Sequence, residues 1–277
     1  MKNNTLIKIL AAPVVLAGAA LAMTGGRRGN SAWEKLRGWR YAHRGFHEKP
    51  SVPENSLPAF KRAIERGFGA ELDVHLLKDG TLAVFHDSDL MRCAGVEGVL
   101  EELTLDELRE LRLEGTEYGV PLFDEVLELF EGKTPLIIEL KSYKDNRRAL
   151  ARAVCERLDS YKGDYCIESF DPLIMLAVRR LRPGICRGQL AADFFRAGSE
   201  IEMPLYQRII LSNLLLNFLS RPDFVAYKFE DRRNLINRLC VRRGVQEVCW
   251  TIRSREDLLT TEKDGAIAIF ECFDPEE

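Results

Sequence analysis

Ala70-Glu71-Leu72-Asp73-Val74-His75-Leu76 is the stretch from which the architecture can be read. Side chains of a strand alternate between two faces, so Glu71, Asp73 and His75 share one face and Leu72, Val74 and Leu76 the other. Two carboxylates on one inward face repel unless a cation, a basic partner or a shared proton offsets them. A second apolar run, Leu136-Ile137-Ile138-Glu139-Leu140-Lys141, puts Glu139 on the face opposite Ile138 and Leu140. Strands built from Leu, Ile and Val that carry acids at their ends belong to a buried sheet with a polar rim.

Outward from these two runs, short apolar segments alternate with amphipathic ones. Strands are expected at Arg40–Ala42, Ala70–Leu76, Leu82–Phe85, Leu136–Leu140, Tyr165–Glu168, Ile185–Gly188, Asp223–Ala226, Glu247–Thr251 and Ala266–Phe270. Helices are expected at Asn55–Arg66, Phe123–Phe130, Asn146–Leu158, Pro172–Leu181, about Glu200–Leu219, Arg232–Val241 and Arg255–Thr260. This rhythm predicts an α/β fold with a parallel sheet and crossover helices. Nine strands with helices between most of them fit a closed eight-stranded (β/α)8 barrel with one short strand extra. The segment His86–Tyr118 breaks the rhythm and reads as an excursion from the barrel.

Composition agrees. The chain has 277 residues with 40 Lys+Arg and 43 Asp+Glu, a formal charge of −3, and 46% hydrophobic and 30% charged residues. Those values exclude a disordered chain and a polytopic membrane protein, and the absence of a basic excess argues against a nucleic-acid partner. Cysteines at 93, 155, 166, 186, 240, 249 and 272 are odd in number with no CxxC spacing, which supports neither a disulfide framework nor a zinc site.

Residues 9–26 form an uncharged run, almost wholly apolar from Ile9 to Met23. It is at the lower edge of what crosses a hydrocarbon core, and Lys2, Lys8 and Ala20-Leu21-Ala22 equally suit a cleavable signal. The expectation is an N-terminal hydrophobic helix within residues 1–30, acting as a membrane anchor, with secretion as the alternative if it is cleaved. Arg27, Arg28, Lys35, Arg37 and Arg40 follow it, so the positive-inside bias favours a cytoplasmic domain, although the side is left open.

All four histidines, His43, His47, His75 and His86, fall within residues 43–86. His43 and His86 end strands, where imidazoles can act as general acid and base near neutral pH. Each alone also reads as a hydrogen-bonded core residue, and His86 as a turn cap. Glu71, Asp73 and Glu139 taken singly would be capping or salt-bridging groups; together they are hard oxygen donors suited to Mg²⁺ or Ca²⁺. Arg44 and Lys141 adjoin these groups and could hold an anion such as phosphate.

Taken in order, His43-Arg44-Gly45, Pro53-Glu54-Asn55-Ser56 with Ala59-Phe60, Glu71-x-Asp73-Val74, Lys78-Asp79-Gly80, His86-Asp87-x-x-Leu90-x-Arg92 and Glu139-Leu140-Lys141 resemble the glycerophosphodiester phosphodiesterase family. The likeness is dense to Lys141 and thinner beyond it, where Glu168-Ser169-Phe170 and Trp250-Thr251 echo later strands. The resemblance implies a TIM-like barrel over residues 38–277, with an insertion after the second barrel strand at about 87–120 and Leu82–Phe85 as the extra strand. It implies metal-dependent hydrolysis of glycerophosphodiesters to sn-glycerol 3-phosphate and an alcohol. Position by position, it makes Glu71, Asp73 and Glu139 the metal ligands, His43 and His86 the acid/base pair, and Arg44 and Lys141 the phosphate contacts. Glu168 stands where the family commonly has an uncharged polar residue, as a fourth ligand or a charge that tunes Lys141. A lysophospholipase D or a lyase forming cyclic phosphate is the alternative, and a non-catalytic membrane-anchored barrel the alternative from another class. The oligomeric state is not legible.

Overall fold

Helix and strand alternate along the chain in the order β1 (Tyr41–Ala42), α1 (Leu57–Glu65), β2 (Gly69–Leu76), β3 (Leu82–Val84), α2 (Met91–Ala94), α3 (Leu105–Arg109), α4 (Phe123–Phe130), β4 (Leu136–Leu140) and α5 (Arg147–Leu158). Then come β5 (Tyr165–Ser169), α6 (Pro172–Leu181), β6 (Arg187–Ala191), α7 (Leu205–Ser212), α8 (Asn217–Ser220), β7 (Phe224–Lys228), α9 (Leu235–Arg242), β8 (Gln246–Ile252), α10 (Arg255–Lys263) and β9 (Ile267–Phe270). The structure is a computed structural model that describes residues 25–27, 29–196 and 203–277.

Eight of these strands pair in parallel, and β1 pairs with both β2 and β9, which closes the sheet into a barrel. β3 lies outside, antiparallel to β2 with Val74 opposite Val84, as the extra strand was expected to do. Alternation sorts the apolar residues into two cores. Leu72, Val74, Ile138 and Leu140 point outward and pack with Phe60, Phe123 and Phe130 of the helices. Ile137, Cys166, Phe224, Ala226, Val248 and Ile269 fill the barrel, and Trp33 closes its lower end by stacking on Phe224 at 4.7 Å. Gly188 belongs to this packing, because a Cβ there would collide with the Phe224 ring. Barrel interiors of this family of folds are packed in layers, so the polar residues are forced to the upper rim where the layers end.

The excursion after β2 has its own small core of Leu77, Ala83, Phe85, Leu90, Cys93, Leu100 and Leu108. Its α3 is started by a capping box in which Thr104 and Glu107 bond each other's backbone N–H groups.

Two expected elements are corrected. The strand expected at Ile185–Gly188 runs from Arg187 to Ala191, because Pro183-Gly184 forms a turn in which Ile185 N–H donates to Arg182 O. The long helix expected at about Glu200–Leu219 is split into α7 and α8, with Leu214 in the left-handed region (φ 54°) between them. Six cysteines are buried, Cys272 is exposed and none is bonded to another. No described helix is long and apolar enough to cross a membrane. The apolar run at Ile9–Met23 lies outside the described residues.

Candidate active site

The carboxyl ends of β1, β2, β4, β5 and β9 meet around one pocket floor. Parallel pairing sets Asp73 beside Glu139 and Glu139 beside Glu168, so three inward-facing acids sit on adjacent strands. Glu71, Asp73 and Glu139 are buried, and each offers a carboxylate oxygen within 4.8 Å of the others. Lys141 lies among them, with Nζ 3.0 Å from Asp73 and 2.9 Å from Glu139. It is thus placed within the acid cluster at this rim.

Burial raises Glu139 to about 7 in spite of the Lys141 charge. Burial, with Asp73 and Glu139 close by, pushes Glu71 well above the usual carboxylate range. Burial would also raise Asp73, but Lys141, His86 and Arg44 outweigh it and hold that carboxyl well below its ordinary value. Glu168 is buried, and its Oε2 has no hydrogen-bond partner among the described residues. Burial and the neighbouring Glu139 raise it strongly. A divalent cation bound among these groups would offset the mutual repulsion that helps to push Glu71, Glu139 and Glu168 up. The donor set is all hard oxygen, and the residues present fit such an ion.

Two imidazoles flank this floor. His43 follows β1, its N–H donating to Phe270 O at 2.8 Å, and the chain then turns through Arg44 (φ 56°) and Gly45 (φ 81°). A side chain at Gly45 would meet Ala59 backbone at 2.9 Å, so the turn needs glycine twice over. His43 Nδ1 is 2.6 Å from Glu271 Oε2, while Nε2 faces Glu71 at 3.9 Å. His86 Nδ1 is 2.6 Å from Asp87 Oδ1, and Asp87 is held in turn by Arg92. Each ring thus has a carboxylate on Nδ1, which sets the tautomer and leaves Nε2 as the working nitrogen. Burial lowers His43 to about 4 against the opposing pull of Glu271, and burial with the Lys141 charge lowers His86 as well. Both shifts favour the neutral ring.

Arg44 Nη1 donates to Glu54 at 2.7 Å and its backbone N–H to Glu71 at 3.1 Å. Its buried Nε lies 3.7 Å from Asp73 Oδ2, so the guanidinium is held between Glu54 and Asp73. A cleft of about 980 Å³ opens beside His43 and Arg44, lined also by Arg62, Arg253 and Glu271.

A family model described as the glycerophosphoryl diester phosphodiesterase family matches residues 43–271. The chain belongs to that family. A glycerophosphodiester phosphodiesterase of Caldanaerobacter subterraneus subsp. tengcongensis is 31% identical over 248 residues, covering 85% of this chain and 93% of the relative. A lysophospholipase D of Rattus norvegicus is 34% identical over 125 residues, covering 40% of this chain and 38% of the relative. Among solved structures, an Oleispira antarctica phosphodiesterase in complex with the product sn-glycerol-3-phosphate aligns with a TM-score of 0.71 at 22% identity, covering 87% of this chain and 94% of that one. At that identity it speaks for the barrel fold.

As a member of this family the chain is an enzyme, and several residues of its site escaped sequence reading. Glu271, on the last strand, carries no local mark that ties it to His43. Asn55 was quoted only within a motif; it adopts φ 52° and donates from Nδ2 to Asp73 Oδ2 at 2.8 Å. Glu54 gathers Arg44, Lys49 and Arg92. His75, expected on one face with Glu71 and Asp73, is drawn away. Its Nδ1 is 2.7 Å from Glu101 of the excursion and its Nε2 is 3.2 Å from His86 O, so it buttresses the loop that carries His86. His47 lies 3.9 Å from Glu271 and acts on the same carboxylate as His43.

Proposed function

We propose that this enzyme hydrolyses glycerophosphodiesters to sn-glycerol 3-phosphate and an alcohol, with His43 and His86 transferring protons beside a divalent cation, Mg²⁺ or Ca²⁺, held by Glu71, Asp73 and Glu139. The observation that carries it is the pairing of two carboxylate-oriented imidazoles with a buried trio of acids at one rim. Such an ion, when bound, offsets phosphoryl charge and lowers the barrier by several kcal/mol.

The chain's own residues supply the rest. Arg44 and Lys141 bring positive charge to the phosphate. Lys141 also holds Asp73 ionised and ties it to Glu139. One neutral imidazole takes the proton of the attacking oxygen through Nε2, and the other, once protonated, returns a proton to the leaving alkoxide. The new P–O bond forms from water, giving sn-glycerol 3-phosphate directly, or from the substrate's glycerol 2-hydroxyl, giving a cyclic phosphate that a water then opens; in either case the bond to the alcohol breaks. Each proton-transfer partner is worth about 10²–10⁴-fold in rate.

A lysophospholipase D activity is the second reading, favoured by the match to the rat relative so named. Phosphorus NMR of the products from glycerophosphocholine and from lysophosphatidylcholine separates the two. Formation of sn-glycerol 3-phosphate from the first supports the proposal, a cyclic phosphate end product indicates a lyase, and no turnover of either substrate with Mg²⁺ or Ca²⁺ refutes both readings and leaves a non-catalytic barrel.

A further inference from the structure

The chain enters the barrel at the end opposite its candidate active site. Strand N-termini and helix-to-strand loops form one end; His43, His86 and Glu139 lie at the other. Arg27 is clamped to the first. Its Nε and Nη2 donate to the two oxygens of buried Asp223, both at 2.7 Å, Nη2 also to Ile185 O at 3.0 Å, and Nη1 to Pro183 O. Its backbone N–H donates to Pro222 O at 2.8 Å. Asn30 then caps a short 3₁₀ turn over Ser31–Lys35, which carries the Trp33 plug. Met23, the last residue of the apolar run, is four steps from Arg27, a span of at most about 14 Å.

The same end carries unpaired positive charge. Arg37, Lys162, Arg221, Arg242 and Lys263 are exposed there, and none pairs with a carboxylate among the described residues; of the exposed acids at this end, Asp164 and Asp264 are paired with Lys35 and Arg232, while Glu34 has no ion pair among the described residues. Phe218, exposed and apolar, lies beside Arg221. Cations at helix C-termini are expected from the helix dipole alone. What makes a surface of these is that the tether arrives in their midst.

We propose that the barrel stands on this end, its cationic rim against the anionic headgroups of the bilayer that holds Ile9–Met23, with its catalytic mouth turned to water on the far side. This rests on the apolar run being an uncleaved anchor, and it sharpens the proposed function. The substrate is a water-soluble glycerophosphodiester rather than a lysolipid in the same leaflet. The five residues of β4 alone separate the two ends by roughly 17 Å, more than the tether spans.

Cys272 provides a native reporter, because it is the exposed thiol and follows β9 at the mouth. The full chain would be reconstituted in vesicles of phosphatidylcholine and phosphatidylglycerol containing an acceptor dye on a headgroup. The donor dye is placed on Cys272, or on Lys162→Cys in a Cys272→Ser background. Strong energy transfer from position 162 and weak transfer from 272 is expected. Equal or reversed transfer overturns the orientation, and transfer from neither overturns the anchoring on which it rests. Lysophosphatidylcholine within the same vesicle should be a poorer substrate than glycerophosphocholine added outside, and the opposite preference also overturns the proposal. Glycerophosphocholine turnover by the full chain in detergent is scored separately, so that an inactive enzyme counts against the proposed reaction and not against the orientation.

Discussion

His43 Nδ1 and Glu271 Oε2 lie 2.6 Å apart, joining the first barrel strand to the last across 228 residues of sequence. The contact holds the imidazole in the tautomer whose Nε2 faces the pocket. Burial alone would raise Glu271, but the hydrogen bond from His43, the nearby His47 and the Arg253 charge hold it far below the ordinary range. It is therefore an anion at any working pH. Glu271→Gln keeps the shape and removes the charge. Turnover should fall by about 10–10²-fold, by analogy with other residues that orient a functional imidazole. The pKa governing the acid limb of the kcat/KM profile should drop, because Glu271 supplies the main pull that opposes burial and Arg44, with only the Asp73 charge left to raise His43. An unchanged profile would mean that Glu271 is structural only.

Replacement of His43 or His86 by Ala should each reduce kcat by about 10²–10⁴-fold. The thermal midpoint should move little, since both rings lie at the rim. Near-normal turnover in both variants would remove the acid/base pair.

Chelation should abolish activity, and Mg²⁺ or Ca²⁺ should restore it. An ion supplied at 100 times its Kd should stabilise the fold by about 2.7 kcal/mol, seen as a rise in melting temperature independent of turnover. Affinity should weaken as pH falls below about 7, where Glu139 takes up a proton that competes with the ion. Activity that persists in EDTA would contradict the metal assignment.

Glu168→Gln tests the fourth acid. It replaces a carboxyl that burial pushes towards the neutral form by an amide of the same shape, which cannot ionise to meet a cation. Calorimetric affinity for the divalent ion should decrease, while the fold is retained or becomes more stable, because an unpartnered buried carboxyl is costly. An unchanged ion affinity would assign Glu168 no part in holding the metal.

Glu54 accounts for part of the acid lability. Burial would raise it, but hydrogen bonds from Arg92 and Lys49 and the charge of Arg44 hold it far below the ordinary glutamate range. Its folded-state pKa is depressed, so the unfolded chain binds the proton more readily. The contribution is present above the unfolded pKa and is lost as pH falls below it. Glu54→Gln should cost about 1–3 kcal/mol at pH 7, because Arg44 and Arg92 each lose one of their carboxylate partners, and should flatten the acid limb of stability in urea titrations. A slope matching that of the parent chain would place the acid sensitivity elsewhere.

The chain's periodicities, read locally, determined a good deal: strand and helix alternation, the shared face of Glu71 and Asp73, the inward Glu139 and the excursion after the second barrel strand. Those features follow from two- and 3.6-residue repeats, which act over a few positions. Tertiary closure decided the rest. It brought Glu271 to His43, turned His75 away to Glu101, set Lys141 between two acids, and fastened Arg27 to Asp223 at the end opposite the site. These pairs depend on which strands become neighbours when the sheet closes and on how far each runs before its loop, and no repeat within one segment encodes that.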